Sequence, residues 1–180
     1  MTIAGLRIEV LTAPPGPAEL EALGEILHAC VHDGASVGFV LPFSRQAARE
    51  FWTGAVWPAL ETGERRLFLA RLDGEVVGTA QLCLAAMPNQ THRADVSKVL
   101  VHPAAQRRGI GRALMQTVEA TARAERRTLL TLDTLTGDKA EGLYAGLGFE
   151  LAGRIPDYAR DTRVNELRAT SVMFKRLAPA

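Results

Sequence analysis

Residues 106–112 carry the residue types and the spacing that bind phosphate groups. This segment follows a predicted strand and opens a predicted helix, and the unpaired N–H groups at a helix N-terminus attract anions. Gly109 and Gly111 allow a ligand to approach the backbone closely. The segment also contains three arginines, Arg107, Arg108 and Arg112. Because the dipole at this end of a helix favours anions over cations, the arginine cluster indicates a polyanionic phosphate ligand.

Two better-known phosphate motifs fit this segment less well. A P-loop requires Gly-Lys-Ser/Thr after its glycines, whereas Arg112-Ala113 stands there. A dinucleotide-binding turn requires a further glycine at the position of Leu114, and it follows the first strand of its unit, whereas this segment follows the fourth predicted strand. The remaining alternative is that the arginines simply point into water.

The elements that must position this segment follow from hydrophobic periodicity and from turn residues. Apolar residues at every fourth position from Ile110 to Ala122 predict a helix. Ser44 is a predicted N-cap, and Asp73-Gly74 is a predicted two-residue hairpin turn. The predicted strands are 6–11, 66–71, 75–85, 92–101, 128–134, 149–154 and 169–177, and the predicted helices are 18–31, 44–60, 110–126 and 138–146.

This order places hairpins in the first half of the chain and βαβ crossovers in the second half. We therefore predict an α/β (α+β) fold, with a mixed, mostly antiparallel sheet of about seven strands and helices on both faces. The length of 180 residues suits one domain over residues 1–180.

Composition argues against several classes of protein. Hydrophobic residues make up 47 % and charged residues 23 %, the balance of a soluble globular protein. A net charge of +1 leaves no global field for nucleic acid or an anionic membrane. No signal peptide and no membrane-spanning stretch are expected. Because Cys30 and Cys83 are expected to be reduced and the histidines are dispersed, we predict a cytoplasmic protein without a metal site.

Two signatures, taken together, resemble those of a known family. Residues 106–111, with the sequence QRRGIG, match the (Q/R)-x-x-G-x-(G/A) signature of the GNAT N-acetyltransferases. Leu143-Tyr144, followed by Gly148-Phe149, resembles the second signature of that family. The order of the predicted elements agrees with the same family.

Within the GNAT family, residues 92–175 are similar to the tabtoxin resistance protein-like acetyltransferases. The shared features include HRADV at residues 92–96 and LDT at residues 132–134. The N-terminal half of the chain carries no such signature.

The resemblance implies that acetyl-CoA is the co-substrate. The backbone of Val99 and Val101 would bond its pantetheine arm where strands 92–101 and 128–134 part, and residues 106–112 would hold its pyrophosphate. The residues implied for contact with acetyl-CoA are Val99, Leu100, Val101, Gln106, Arg107, Arg108, Gly109, Ile110, Gly111, Arg112, Thr134, Lys139 and Tyr144.

Acetyl transfer from a thioester to an amine requires a base and stabilisation of the carbonyl oxygen, and an acid assists it. The resemblance implies that Tyr144 protonates the leaving thiolate. Because Asp133 ends the hydrophobic run 129–132, we expect it to be partly buried, which strengthens a carboxylate as a base. We hypothesise that Asp95 and Asp133 together bind and deprotonate the amine, and that a backbone N–H near Val99 polarises the carbonyl.

Each catalytic candidate also has a structural interpretation. Asp133 would cap the turn between a strand and a helix. Asp95 would be solvated, or would pair with Arg93 or Lys98. Tyr144 would be an ordinary core tyrosine on a helix.

The predicted acceptor is the primary amine of a small molecule, amino-acid-like or toxin- or antibiotic-like. Residues 34–43 and the polar segment 157–161, interpreted as a loop, are candidates for its pocket. One alternative is acetylation of a protein N-terminus or lysine, and the other is a non-catalytic acyl-CoA-binding module. We expect no nucleic-acid or membrane partner, and a homodimer is compatible with exposed edge strands.

Overall fold

The computed structural model describes residues 3–178. The strands are β1 (Leu6–Leu11), β2 (Arg65–Leu72), β3 (Glu75–Leu84), β4 (Arg93–Val101), β5 (Leu129–Leu135), β6 (Glu150–Arg160) and β7 (Leu167–Arg176). They form one seven-stranded sheet in the order β1-β2-β3-β4-β5-β7-β6. All neighbours are antiparallel except β4 and β5, which are parallel. The predicted mixed, mostly antiparallel sheet is therefore confirmed.

Helices cover both faces of this sheet, as predicted. They are α1 (Pro17–His32), α2 (Arg45–Phe51), α3 (Trp57–Glu61), α4 (Ile110–Ala124) and α5 (Lys139–Ala145). Alternate residues of β2 enter two separate cores, Leu67 and Leu69 with α1–α3, and Phe68 and Ala70 with α4 and α5. Within residues 3–178, no helix is long and apolar enough to cross a membrane.

β4 and β5 pair only where each strand begins. The parallel ladder joins residues 93–95 to residues 129–131 and then stops. Beyond it, β4 keeps its pairing with β3 and β5 keeps its pairing with β7. The edges of β4 and β5 that face each other therefore carry backbone N–H and C=O groups without a strand partner. These groups line an opening between the two strands.

A β-bulge in β4 lies at this opening. Gln81 of β3 stands opposite Ser97, and Thr79 stands opposite Leu100, so that Lys98 and Val99 face a single residue of β3. Lys98 adopts a left-handed conformation with φ of 49°. Because a bulge bends the strand that carries it, β4 turns away from β5 beyond this point.

The predicted helix over residues 44–60 begins as expected but is interrupted. Ser44 Oγ accepts a hydrogen bond of 3.0 Å from a backbone N–H of the first turn. A π-turn over Trp52–Val56 separates α2 from α3. Pro58 has no N–H for the carbonyl of Gly54, and its ring crowds that carbonyl, which accounts for the wider turn.

The second-last strand is longer than predicted. Residues 157–160 belong to β6, so the interpretation of residues 157–161 as a loop is wrong for all but the last of them. β6 is an edge strand, and a register shift between Ile155 and Ala159 accommodates Pro156. An edge strand tolerates proline because the missing N–H there has no partner to lose.

A largely buried ion pair ties α4 to β7. Lys175 Nζ lies 2.6 Å from Glu119 Oε1 and 2.5 Å from the carbonyl oxygen of Leu147. The Glu119 side chain is 10 % exposed, so its carboxylate has lost most of its contact with water. One ammonium therefore joins α4, β7 and the turn after α5.

We expect Lys175→Met to lower the free energy of unfolding by about 2 kcal/mol, because it leaves a buried carboxylate without its closest cation. Arg123, 3.7 Å from Glu119, would be the remaining cationic partner within residues 3–178. Guanidinium denaturation measures the change. The control is Arg176→Met on the same strand, with an expected change of about 0.5 kcal/mol or less. Equal losses in the two variants would show that the ion pair contributes nothing specific.

Candidate functional site

The opening between β4 and β5 leads into a cavity of about 360 Å³. Its walls come from the ends of β4 and β5, the loop between α1 and α2, the start of α5, and facing parts of β6 and β7. The predicted site residues that line it are Val99, Leu100, Val101, Gln106, Asp133, Thr134, Lys139 and Tyr144. In the described part of the chain, no cluster of three or more His, Cys, Asp or Glu side chains could hold a metal ion.

The N-terminus of α4 continues from the cavity at Gln106. Gly109 is the N-cap, with φ of 82°, a conformation that favours glycine. The first helical bond runs from the Ala113 N–H to the Gly109 carbonyl at 3.1 Å. Within residues 3–178, the N–H groups of residues 109–112 donate to no protein acceptor. They are therefore free to bind an anion, as predicted for the start of this helix.

The three arginines of this turn differ in their environment. Arg107 and Arg108 are exposed, and Arg107 adopts φ of 64°. Arg112 is also exposed, but its Nη1 donates to the carbonyl of Gly146 at 3.2 Å. Arg112 thus stabilises the C-terminal end of α5, while Arg107 and Arg108 project from the turn into water.

Gln106 joins the turn to the cavity wall. Its Nε2 donates to the Val101 carbonyl at 3.1 Å, and its Oε1 accepts from Lys139 Nζ at 2.9 Å. Lys139 also lies 3.9 Å from Asp33 at the end of α1. The Val101 carbonyl further accepts a bond of 3.4 Å from the Cys30 thiol. These contacts show that the Val101 carbonyl faces the cavity and not β3.

Tyr144 is 7 % exposed and lines the cavity. Its ring lies 5.9 Å from that of Phe149, centroid to centroid. Burial raises the pKa of Tyr144, and the negative charges of Asp133 and Asp138 raise it further. The hydroxyl therefore keeps its proton at neutral pH. Tyr144 is buried, as its interpretation as a core tyrosine expected, but it also borders the cavity.

Asp133 is exposed in the cavity, so the expectation that it is partly buried is wrong. The hydrophobic run before it alternates in the strand, and Leu130 and Leu132 alone enter the core. Asp133 falls on the opposite face, where β4 no longer covers β5. The argument that burial strengthens this carboxylate as a base therefore does not apply, although its position in the cavity remains as predicted.

Asp95 does not line the cavity, and its carboxylate already has partners. Arg93 Nη1 donates to Asp95 Oδ2 at 2.6 Å, and the Thr131 hydroxyl donates to the other oxygen. The pairing with Arg93 is one of the alternatives that the sequence allowed. The structure therefore separates Asp95 from Asp133, since the first is neutralised within the ladder that joins β4 to β5 and the second is open to the cavity.

Lys98 lines the cavity, although the sequence suggested it only as a partner of Asp95. Its side chain is half-buried, and its Nζ lies 5.4 Å from the centroid of the Phe51 ring. Burial lowers the pKa of Lys98, partly offset by the charge of Asp133. The sequence places Lys98 within a predicted strand that also contains Arg93 and Asp95, but the direction of the Lys98 side chain depends on the bulge.

The loop between α1 and α2, which contains the candidate acceptor-pocket segment 34–43, forms one side of the cavity. Residues 33–38 line the cavity, and Tyr158 and Ala159 of β6 face it from the other side. The Thr162 hydroxyl donates to the Ala35 carbonyl at 2.9 Å, and the Leu41 N–H donates to the Thr162 carbonyl at 3.0 Å. The turn between β6 and β7 therefore fastens this loop over the cavity.

The sequence matches the model of the Acetyltransferase (GNAT) family over residues 25–149. The chain belongs to the GNAT family of acetyltransferases. It is an enzyme of this family, whose co-substrate is acetyl-CoA. The matched region includes both predicted signatures, at the start of α4 and at the end of α5.

This acetyltransferase is similar to an uncharacterized N-acetyltransferase of the hisH–hisA intergenic region of Azospirillum brasilense, at 36 % identity over 117 residues, 64 % of this chain and 67 % of the relative. Among solved structures, YncA from Salmonella typhimurium, determined with its cofactor acetyl-CoA, has a TM-score of 0.76 and 18 % identity over 98 % of this chain and 96 % of its own. A ribosomal-protein-alanine N-acetyltransferase from Brucella melitensis has a TM-score of 0.77 and 21 % identity over 95 % of this chain and 99 % of its own. At these identities, the two structures establish a shared fold.

We expect Gly109→Ala to weaken the binding of coenzyme A by about tenfold, because a side chain there distorts the free N–H groups of the turn. An added Cβ would meet Ile3 Cδ1 at 3.3 Å and would require φ of 82°. Isothermal titration with coenzyme A measures the affinity.

Gly74→Ala is the matched control. Gly74 also has a left-handed φ, 92°, but it lies in the hairpin between β2 and β3 with nothing within 4 Å of the added Cβ. Both variants should lose about 1 kcal/mol of stability. If both bind coenzyme A equally well, the turn at Gly109 is not the anion site.

Proposed function

We propose that this acetyltransferase transfers the acetyl group of acetyl-CoA to the primary amine of a small molecule, amino-acid-like or toxin- or antibiotic-like. One observation carries the proposal: Asp133 and Tyr144 line the same cavity, which Gln106 joins to the free N–H groups of α4. A carboxylate, a protonated hydroxyl and an anion site thus border one space. These are the groups that acyl transfer to an amine uses.

Acetyl-CoA supplies the acetyl group in activated form, as a thioester, and the chain offers groups that fit its parts. The N–H groups of residues 109–112, with Arg107 and Arg108, suit a diphosphate. The backbone of Val99 and Val101, at the edge that β5 leaves unpaired, suits an arm that contains amides. The further contacts that we assign to acetyl-CoA are Leu100, Gln106, Thr134, Lys139 and Tyr144.

Asp133 is the proposed base. Its exposed carboxylate accepts a proton from the ammonium group of the acceptor, directly or through a water molecule. The neutral amine then attacks the carbonyl carbon and forms the new C–N bond while the C–S bond breaks. The nitrogen of the new amide loses its surplus proton to water, and water returns a proton to Tyr144 after this residue has protonated the thiolate. In this proposal Asp95, already bonded to Arg93 and Thr131, supports the site by fixing the point where β4 and β5 part.

Two further groups assist the reaction in this proposal. A backbone N–H at the bulge near Val99 stabilises the carbonyl oxygen as it gains negative charge, since the β3 ladder does not use this position. Tyr144 donates its hydroxyl proton to the departing thiolate. The raised pKa of Tyr144 supports this assignment, because the hydroxyl remains protonated until the thiolate forms.

The shape of the site favours a small acceptor over a protein. A polypeptide substrate requires an open groove, whereas here the turn between β6 and β7 fastens the loop at Ala35 over the cavity. The resemblance of residues 92–175 to the tabtoxin resistance protein-like acetyltransferases supports an amino-acid-like amine. Acetylation of a protein N-terminus, the activity named for the Brucella melitensis protein, is the competing function.

The purified enzyme should be incubated with acetyl-CoA and a panel of amines, amino acids and N-terminal peptides, and thiol release should be followed. We expect turnover with small amines and little with peptides. Turnover with peptides alone would establish the competing function. Tight binding of coenzyme A without turnover on any amine would indicate a non-catalytic binding module.

Asp133→Asn should reduce kcat by about 100-fold, because an amide cannot accept the proton of the acceptor amine. The affinity for coenzyme A, measured by titration, should remain unchanged. Asp95→Asn is the comparison, and we expect it to retain most of its turnover, since Asp95 lies outside the cavity. A larger loss for Asp95→Asn than for Asp133→Asn would exchange the two assignments.

Tyr144→Phe should reduce kcat by about 100-fold at unchanged KM, because the hydroxyl acts only when the thiolate leaves. Tyr158→Phe is a matched control, since Tyr158 lines the same cavity but is 52 % exposed. Steady-state kinetics on both variants measures the difference. Wild-type kcat in Tyr144→Phe would remove the acid from the mechanism.

A further inference from the structure

Several hydrogen-bond donors on one side of the sheet have no acceptor within residues 3–178. Arg65 Nε and Gln81 Nε2 are buried without a partner, although Arg65 Nη1 donates to Gln81 Oε1 at 2.7 Å. Lys98 Nζ makes no hydrogen bond or ion pair with a described residue and borders the cavity. Of these three residues Lys98 alone lines the cavity, so its unpartnered ammonium is the donor that a ligand in the cavity reaches.

The register of the sheet places these donors together. Gln81 of β3 stands opposite Ser97, the residue before Lys98. Arg65 of β2 donates to Gln81 at 2.7 Å, but neither of these two residues lines the cavity. At the β4 bulge the lining of the cavity therefore carries the positive charge of Lys98, whereas the arginines of the α4 turn do not line the cavity.

The conformation of Lys98 turns its side chain into the cavity at an energetic cost. A lysine with φ of 49° is less favourable than one in ordinary strand geometry, because its Cβ crowds the backbone. Its ammonium lies over the Phe51 ring. It also lies next to Gly38, where a Cβ atom added to the glycine would be 3.9 Å from Lys98 Nζ. Strained residues of this kind persist mainly where they serve a site.

Asp133 and Lys98 line the same cavity, but the two groups form no ion pair within 4 Å. The cavity thus presents a carboxylate and an ammonium that are separate from each other. A ligand with one cationic and one anionic group matches both, because each group meets an opposite charge.

We propose that Lys98 binds a carboxylate of the acceptor while Asp133 binds its amine, so that the preferred acceptor is a zwitterionic amino acid or an analogue of one. This inference rests on the proposed function and adds a specificity-determining residue to it. Lys98 sets which amines bind and does not itself transfer a proton.

The test compares acceptors in matched pairs, each α-, β- or γ-amino acid with its own carboxamide. The wild-type enzyme should have a KM about 10- to 100-fold lower for the acid than for the amide, the effect of one charge-assisted bond. Lys98→Met should raise KM for the acids by this factor while leaving KM for the amides and kcat for both nearly unchanged. Lys98→Arg should restore part of the preference for acids.

Controls separate this inference from the proposed function. Titration with coenzyme A and circular dichroism establish that each variant is folded and binds its co-substrate. If the wild type turns over no amine at all, the proposed function fails and the inference fails with it. If the wild type acetylates acids and amides equally well, the inference alone is overturned, and the transferase activity stands.

Two further outcomes complete the test. Equal losses of Lys98→Met on acids and amides would assign Lys98 a general structural role and overturn the proposal. If Lys98→Met does not fold, inhibition of the wild type decides. The acceptor without its amine, a simple carboxylic acid, should compete with the acceptor, whereas the corresponding neutral amide should not. Competition by neither compound would overturn the proposal.

Discussion

The short pairing of β4 with β5 is the constraint on which the rest of the site depends. A parallel ladder that ends after residues 93–95 leaves two strand edges with unsatisfied backbone groups, and such groups cannot be buried in an apolar core. The chain therefore surrounds them with a cavity instead. The bulge at Lys98, the Val101 carbonyl and the turn that starts α4 all belong to the same edge of β4, so a single interruption of the sheet creates the space and its polar lining.

The charged side chains around this opening have different roles, because some are already bonded within the protein and others face the cavity without an ion-pair partner. Asp95 is bonded to Arg93 and Thr131 at the last paired position, where it strengthens the ladder that remains. Asp133, two residues beyond the ladder on β5, pairs with β7 but no longer with β4, and its side chain is open to the cavity. Lys98 is likewise beyond the pairing and faces the same space. Charges before the opening hold the sheet together, and charges after it are available to a ligand.

Much of the fold could be predicted because each element carries its own local signals. Ser44 caps its helix as its type indicates, and apolar spacing identified α4 within two residues of its observed end. Two predicted elements differed from the structure, one because of a single proline and the other because of pairing between strands. Pro58 divided one predicted helix, and the extension of β6 to Arg160 depends on pairing with β7, which no property of residues 157–160 reveals.

The sequence by itself determined the family, the mixed sheet and the turn at Gly109, because glycines, arginines and hydrophobic periodicity act over short distances along the chain. The tertiary structure decided which charged residues face the cavity. Asp133 follows a hydrophobic run, which predicted partial burial. It is exposed because β5 alternates its side chains between the two faces and because β4 no longer pairs with β5 at that level. Lys98 enters the cavity because a bulge turns it there, and a bulge depends on the register between two strands, which the residues of one strand cannot specify.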